Sequence, residues 1–452
     1  MLEELSECTQ RLVASTGRGL DLCEADLSGL NLAGANLRRA TLSRASLHNT
    51  NLRDADLSEI TMVCPGMERT DLRGANLESA YVHALAAQTC NFDDANLSRL
   101  RDATGTLFHG CSMRGVQLSS AQLAGSSFYQ CDLSGGRLSG ANLQGCLINE
   151  CLLIEASLEQ ALLDQLSIVK SDLSAASLEG ASGQGLCLQR LTGARALRLD
   201  AAVLPRLRLD QVRGDSWTAD SMHVIGADFS DVTVLGINLD NADLSNTTWR
   251  TCVLSDARLR SATLSNAKIV SCSLRGLDAE GAHAENLHIV ESDLSGSAMA
   301  GLTGRCLVAR DVNMQDCDLR QANLYRAMIT GDPPGAMNLR GANLVNAVLV
   351  QAYVAADLRD ADLTGANCAY SRFSQSDLTK AHLDGANMYQ STWVKVAMQG
   401  ASVRGVRAPV FVDRCVGLAE AVAGTGDSAS DEFAAYLESF RAVLANARKG
   451  ST

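Results

Sequence analysis

The chain has 452 residues, 46% hydrophobic but only 4% aromatic, with 5 prolines, 37 glycines and a formal charge of -12. Modest charge with plentiful aliphatics excludes a disordered chain, and no run of about 18 apolar residues offers a membrane-spanning helix. The acidic balance argues against direct nucleic-acid binding, and the scarcity of aromatics against several ordinary globular cores.

The first residues, 1–19, read as an N-terminal cap, with Leu2, Leu5, Leu12 and Val13 spaced for a short helix. The acidic start has no apolar signal segment. The expected location is therefore a reducing cytoplasm with free thiols, without excluding export by a specialised secretion system.

From residue 20 a period of five takes over. Ala25-Asp26-Leu27, Ala35-Asn36-Leu37, Ala55-Asp56-Leu57 and Ala75-Asn76-Leu77 each give small, Asp/Asn, Leu, then two small or polar residues. Leu27, Leu37, Phe108, Phe128, Leu133, Phe229, Trp249, Leu324, Phe373 and Trp393 all occupy the third position, the centre. A period of five suits neither a helix nor a flat strand. It suits a chain that turns a corner every five residues and points the centre, and the small residue two before it, into a narrow interior.

The phase slips by one residue near 102–108, again near 189–199, and runs one residue short near 353–358. The stretch 189–223 has the look of a linker, but Leu199, Leu204 and Leu209 keep the phase of Val224 and Phe229, so it is degenerate repeat. Gly331-Asp332-Pro333-Pro334-Gly335 reads as a turn filling one pentad without shifting the phase. The slips and this turn are candidates for bulges or bends that shape a binding face, with tolerated decay of the repeat as the alternative.

The number of pentads per coil comes from pairs of large residues. Phe108 and Phe128, Phe229 and Trp249, and Phe373 and Trp393 are each twenty apart at centres, and Cys111, Cys131 and Cys151 are twenty apart at the small position. Stacked rungs of four pentads would bring each set together.

On these residues the chain resembles the pentapeptide-repeat proteins, whose pattern is A(D/N)LXX, over residues 20–405. The resemblance implies an all-β, right-handed quadrilateral β-helix. Residues 406–452 are expected to form a C-terminal α-helical cap. One helix runs from about Val412 to Ala423, and a second from Ser430 carries Phe433, Tyr436, Leu437, Phe440 and Leu444 at helical spacing. That second helix is also a candidate dimerisation surface, since C-terminal elements pair β-helices end to end in related proteins.

Little in the sequence points to chemistry. There is no C-x-x-C or H-x-x-x-H. Cys90, Cys111, Cys131, Cys146, Cys151, Cys252, Cys272 and Cys317 all fall at the inward small position, where a thiol acts as a small hydrophobe. Ser167-Ile168-Val169-Lys170 matches S-x-x-K by chance of the repeat. No catalytic residue, metal or cofactor is expected.

The surface remains. Thirteen aspartates directly precede a bulky centre, enough to supply the whole net charge, and their expected role is to hydrogen-bond backbone at the corners. The resemblance implies a second role: family members that act on DNA gyrase carry an acidic rod that imitates duplex DNA. Here the charge is spread thinly, -5 over residues 1–110 and -1 over 355–452. Arg198, Arg206, Arg208 and Arg213 even form a basic cluster in sequence. The first expectation is a bacterial, non-enzymatic scaffold, adaptor or effector that binds another protein, with Arg198, Arg206, Arg208, Arg213, Asp332, Pro333 and Pro334 as the candidate surface. The alternative is a DNA mimic binding gyrase or another type II topoisomerase and conferring inhibitor or toxin resistance.

Overall fold

A computed structural model describes residues 19–407 and 409–423. It divides into two units, residues 1–237 and 238–452, and both are all-β solenoids with a spacing of about twenty residues.

Within each unit a residue pairs in parallel with the residue one coil on. In the first unit Asn31 pairs with Asn51, Asp132 with Leu152 and Leu162 with Ser182, each twenty on. In the second, Asn238 pairs with Arg258 and Thr263 with His283. The chain turns between successive pentads, so each coil has four sides. At most corners the N–H of the residue three after the centre donates to the centre's carbonyl, as Ala35 to Leu32 at 3.1 Å. The residue two after the centre is left-handed, as at Gly34 (φ +67°) and Arg39 (φ +61°). That is the geometry of a turn needing positive φ at its third residue.

One side of each unit differs. It carries consecutive three-residue strands, among them Leu107–His109, Ser127–Tyr129 and Leu147–Asn149 in the first unit. In the second unit they include Lys268–Val270, His288–Val290 and Val308–Arg310. We call it side B, the side before it A, and those after it C and D. On the other sides pairing shrinks mostly to single bridges. The centres explain the split. Side B holds Phe108, Phe128, Ile148 and Ile168, and in the second unit Trp249, Ile269, Ile289 and Ile329, all buried. Elsewhere leucine dominates. β-Branched and aromatic side chains prefer extended backbone, whereas leucine leaves the corner free to tighten.

The interior follows the repeat. Centres and small residues are buried almost without break. Phe108 and Phe128 stack at 4.9 Å with an 11° tilt, while Phe373 and Trp393 meet edge-on at 6.3 Å and 72°. In the second unit a cavity of about 40 Å³ lies among Leu264, Leu302, Leu324, Leu349 and their neighbours.

The irregularities resolve into specific residues. Tyr81 pairs with Asp102 and Asp172 with Gly193, both twenty-one apart, which puts single insertions at Arg101 and at Thr192. Asn338 pairs with Asp357, nineteen apart, so one residue is missing after Val354. The Gly331–Gly335 pentad needs a correction: it does not fill a side. Asn313 pairs with Asn338 and Met328 with Tyr353, twenty-five apart, so a whole pentad leaves the coil between sides B and C.

At the C-terminal end, Phe411–Asp413 is a strand paired with Thr392–Val394, and Val416 still bridges to Ala397. The helix expected from Val412 therefore starts later, at Leu418, and runs to Ala423. The expected N-terminal cap helix and the helix carrying Phe433, Tyr436, Leu437, Phe440 and Leu444 lie outside the described residues.

Candidate functional site

The corner aspartates and asparagines have a structural task. Their Oδ1 accepts from the N–H two residues on, as Arg53 to Asn51 at 3.1 Å, Ser134 to Asp132 at 3.0 Å and Thr364 to Asp362 at 2.9 Å. Asparagine also donates along the stack, Asn96 to Asn76 at 3.1 Å and Asn338 to Asn313 at 2.9 Å. Aspartate cannot donate, so stacked carboxylates need a cation. Asp357 faces Asp377 one coil on, and Arg359 spans them at 2.5 and 3.8 Å. The Arg359 guanidinium holds the Asp357 carboxyl below its ordinary range.

The thiols behave as packing. Cys90, Cys111, Cys131, Cys146, Cys151, Cys272 and Cys317 are buried free thiols, and Cys252 is buried with them. Burial pushes Cys146 up to about 11 and Cys317 up to about 12, away from thiolate chemistry. Lys170 of the S-x-x-K match is tied to Glu150 at 3.1 Å. Among the described residues no group of three or more His, Cys, Asp or Glu comes together as a metal would require.

Arg198, Arg206, Arg208 and Arg213 stand on sides D, A, B and C of one coil, so the structure spreads around the solenoid what the sequence places together. Arg198 pairs with Glu179 at 2.5 Å. The sequence reading passed over Trp217 in this coil. It sits at a small position, fully buried, and its indole N–H donates to the Ala194 carbonyl. The centres around it have shrunk to compensate: Ala194, Gly214 and Ala219. A Cβ on Gly214 would collide with the Trp217 ring and the Ala194 carbonyl. The small centres were the available signal.

The looped-out pentad stands out from the coils of the second unit. A single turn of 3-10 helix, Pro334–Ala336, shapes it, with the Ala336 N–H donating to the Pro333 carbonyl at 2.8 Å. The Asp332 N–H donates to Asp311 Oδ1 at 2.8 Å and pins the loop to the coil below. Grooves flank it. One of about 550 Å³ reaches Ala336 and is lined by Glu291, Asp293, Asp311 and Asn313. The other, about 310 Å³, runs from Gly335 to Asp357, Arg359 and Asp377. Asp332 and Pro333 are exposed on a ridge between these two carboxylate-lined grooves.

A family model for pentapeptide repeats matches in 8 copies, over residues 21–58, 102–140, 111–149, 137–180, 237–276 and 356–392. A search of curated proteins gave no match. Similar solved structures include the plasmid-mediated fluoroquinolone resistance protein QnrB1, 18% identical over 45% of this chain and 90% of that one, TM-score 0.23. They also include the pentapeptide-repeat protein Rfr23 of the cyanobacterium Cyanothece, 20% identical over 32% of this chain and 97% of that one, TM-score 0.17. HetL, a pentapeptide-repeat protein involved in heterocyst differentiation regulation in the cyanobacterium Nostoc, is 20% identical over 68% of this chain and 88% of that one, TM-score 0.12.

Proposed function

The chain is a pentapeptide-repeat protein, and from that premise we propose that it is a non-enzymatic scaffold whose outer relief binds another protein. The observation that carries this is the extruded pentad. Pairing keeps its register on both sides of residues 331–335 while the loop stands clear of the coil. Stacked coils with a packed interior resist deformation, so a loop anchored through Asp332 and Asp311 is presented in a fixed place. We take the coil as right-handed, as parallel crossovers nearly always are, and the C-terminal residues as its helical cap and a candidate dimer contact. No described helix is long and apolar enough to cross a membrane.

Deleting residues 331–335 removes one whole pentad and restores a twenty-residue coil, which makes it a clean test. Full-length and deleted chains are offered to a lysate of the native host under cross-linking. The reading expects a protein retained by the first and lost by the second at equal folded stability. Identical retention by both would remove the loop from the interface.

Mimicry of DNA against a topoisomerase is the second reading, and the ion pairs weigh against it. Asp240, Asp278, Asp318 and Asp357 are each engaged by an arginine, which thins the negative field that a duplex mimic requires. A supercoiling assay with DNA gyrase, with and without a quinolone, decides it: no effect at micromolar protein rejects mimicry.

A further inference from the structure

Side A of the second unit departs from the acidic character of the chain. Between residues 303 and 407 its outward positions include Arg305, Tyr325, Arg326, Tyr370, Tyr389 and Arg407, and none of them is Asp or Glu. The arginines lie on the tyrosines. Arg305 and Arg326 cover the two neighbouring approaches to Tyr325 at 5.4 and 5.1 Å, and Arg407 sits over Tyr389 at 4.0 Å. Tyr370 meets Tyr389 edge-on at 5.7 Å and is 56% exposed. Gln351 accepts from both the Tyr325 hydroxyl and Arg326 Nε, at 3.1 and 2.7 Å, and fixes that end. Among the described residues these three arginines form no ion pair, whereas Arg258, Arg260, Arg320 and Arg359 of the same unit do. At the last position of the preceding corner stand Gly301, Gln321, Asn346, Gly365 and Gly385, none of them charged.

We infer that this strip docks an acidic polypeptide segment of a partner protein, extended along the stack. The inference rests on the scaffold reading and names a second surface for it, distinct from the loop. Tyrosine and arginine are the residues that dominate interface cores, where Asp and Glu are depleted. Side chains already held by stacking lose little freedom on binding. Guanidiniums without a carboxylate supply half of an ion pair and leave the other half to the partner. The strip runs five coil steps, from Arg305 to Arg407, or about 24 Å at ~4.8 Å per step, which an extended segment of about seven residues spans at ~3.4 Å each. Its carboxylates belong at the ends, near Arg305, Arg326 and Arg407, and apolar or aromatic side chains over Tyr370 and Tyr389. A single-stranded nucleic acid is the poorer fit. Its bases need open ring faces to stack on, and here arginines cover Tyr325 and Tyr389.

The test is selection from a display library of random seven-residue peptides on the full chain. A triple variant, Arg305→Glu, Arg326→Glu and Arg407→Glu, serves as counter-target, and matched thermal unfolding checks its fold. Enriched peptides should carry Asp or Glu, bind the triple variant at least tenfold more weakly, and retain affinity for the triple lysine variant. As a second readout on the unmodified chain, they should slow alkylation of exposed Cys306, which lies on this strip, and not of exposed Cys64. No enrichment, neutral or basic peptides, or equal affinity for the glutamate variant each overturn the proposal. Acidic peptides that ignore the triple variant but lose affinity on deletion of residues 331–335 would overturn this strip and leave the scaffold reading standing. Tighter binding of oligothymidylate than of any selected peptide would overturn it in favour of nucleic acid.

Discussion

Sides A and C of the second unit share one backbone plan and carry opposite chemistry. Both have parallel rungs, buried centres and corner asparagines that donate down the stack, Asn387 to Asn367 on A and Asn338 to Asn313 on C. Yet A presents tyrosines and arginines without an ion pair among the described residues, and C presents Asp293, Asp357 and Asp377 beside the extruded loop. The difference teaches where the fold is written. Two residues of each pentad point inward and determine the coil. The other three face water, and function can be placed in them at little cost to stability.

If that division holds, the largest effects should come from inward residues and should not depend on the side. Leu324→Ala on A and Leu378→Ala on C are both expected to cost about 2–5 kcal/mol in urea unfolding. A loss confined to one side would break the comparison. Inward hydroxyls come next. Thr247 accepts the Trp249 indole N–H at 3.0 Å and donates to the Leu244 carbonyl, so Thr247→Ala should cost about 1–3 kcal/mol. Ser391 holds the same place before Trp393, but its hydroxyl and the Trp393 N–H lack partners among the described residues. Ser391→Ala is therefore expected to be neutral or mildly stabilising in the same measurement.

Outward residues should give smaller effects. Tyr389→Ala removes the cation–π contact with Arg407 and should cost about 0.5–1 kcal/mol. On side C, Arg359→Ala should act through pH. The folded Asp357 carboxyl sits below its ordinary range. Its contribution is therefore present above the ordinary carboxylate pKa of about 3.9 and is lost as pH falls through the lower folded value. Acid unfolding followed by circular dichroism should begin at higher pH in the variant, and the two proteins should converge at the most acidic end. Deleting residues 331–335 should be the mildest change, within about 0.5 kcal/mol, because the loop lies outside the coil. A large loss there would mean that the pentad supports the stack.

Much of this was legible before any coordinates. Period five, the inward pair and the one-residue slips near 102–108, 189–199 and 353–358 can be counted, because a single insertion moves every later leucine out of phase; the further shortening before Phe411, which pairs nineteen on from Thr392, was not. Aromatic and cysteine pairs twenty apart supplied the coil length. The extruded pentad was hidden for the same arithmetic reason: inserting five residues leaves the phase of a five-residue repeat unchanged. Trp217 was hidden because a leucine count cannot see large and small residues exchanged between neighbouring positions. The helix placed from Val412 failed because Val412 is buried at a coil centre, and strand pairing with Trp393 overrode its place in an apparent helical pattern.

By itself the sequence determined the repeat, the narrow interior that limits aromatics, and an acidity that follows from corner aspartates. Only the tertiary structure decided which side carries strands and which residue types share a face. It also decided that Arg198, Arg206, Arg208 and Arg213 part company while Arg305, Arg326 and Arg407 line up. The reason is geometric. Residues adjacent in sequence turn onto different sides every five positions, and residues about one coil apart become neighbours, so surface chemistry in a solenoid is set by the stack and its insertions.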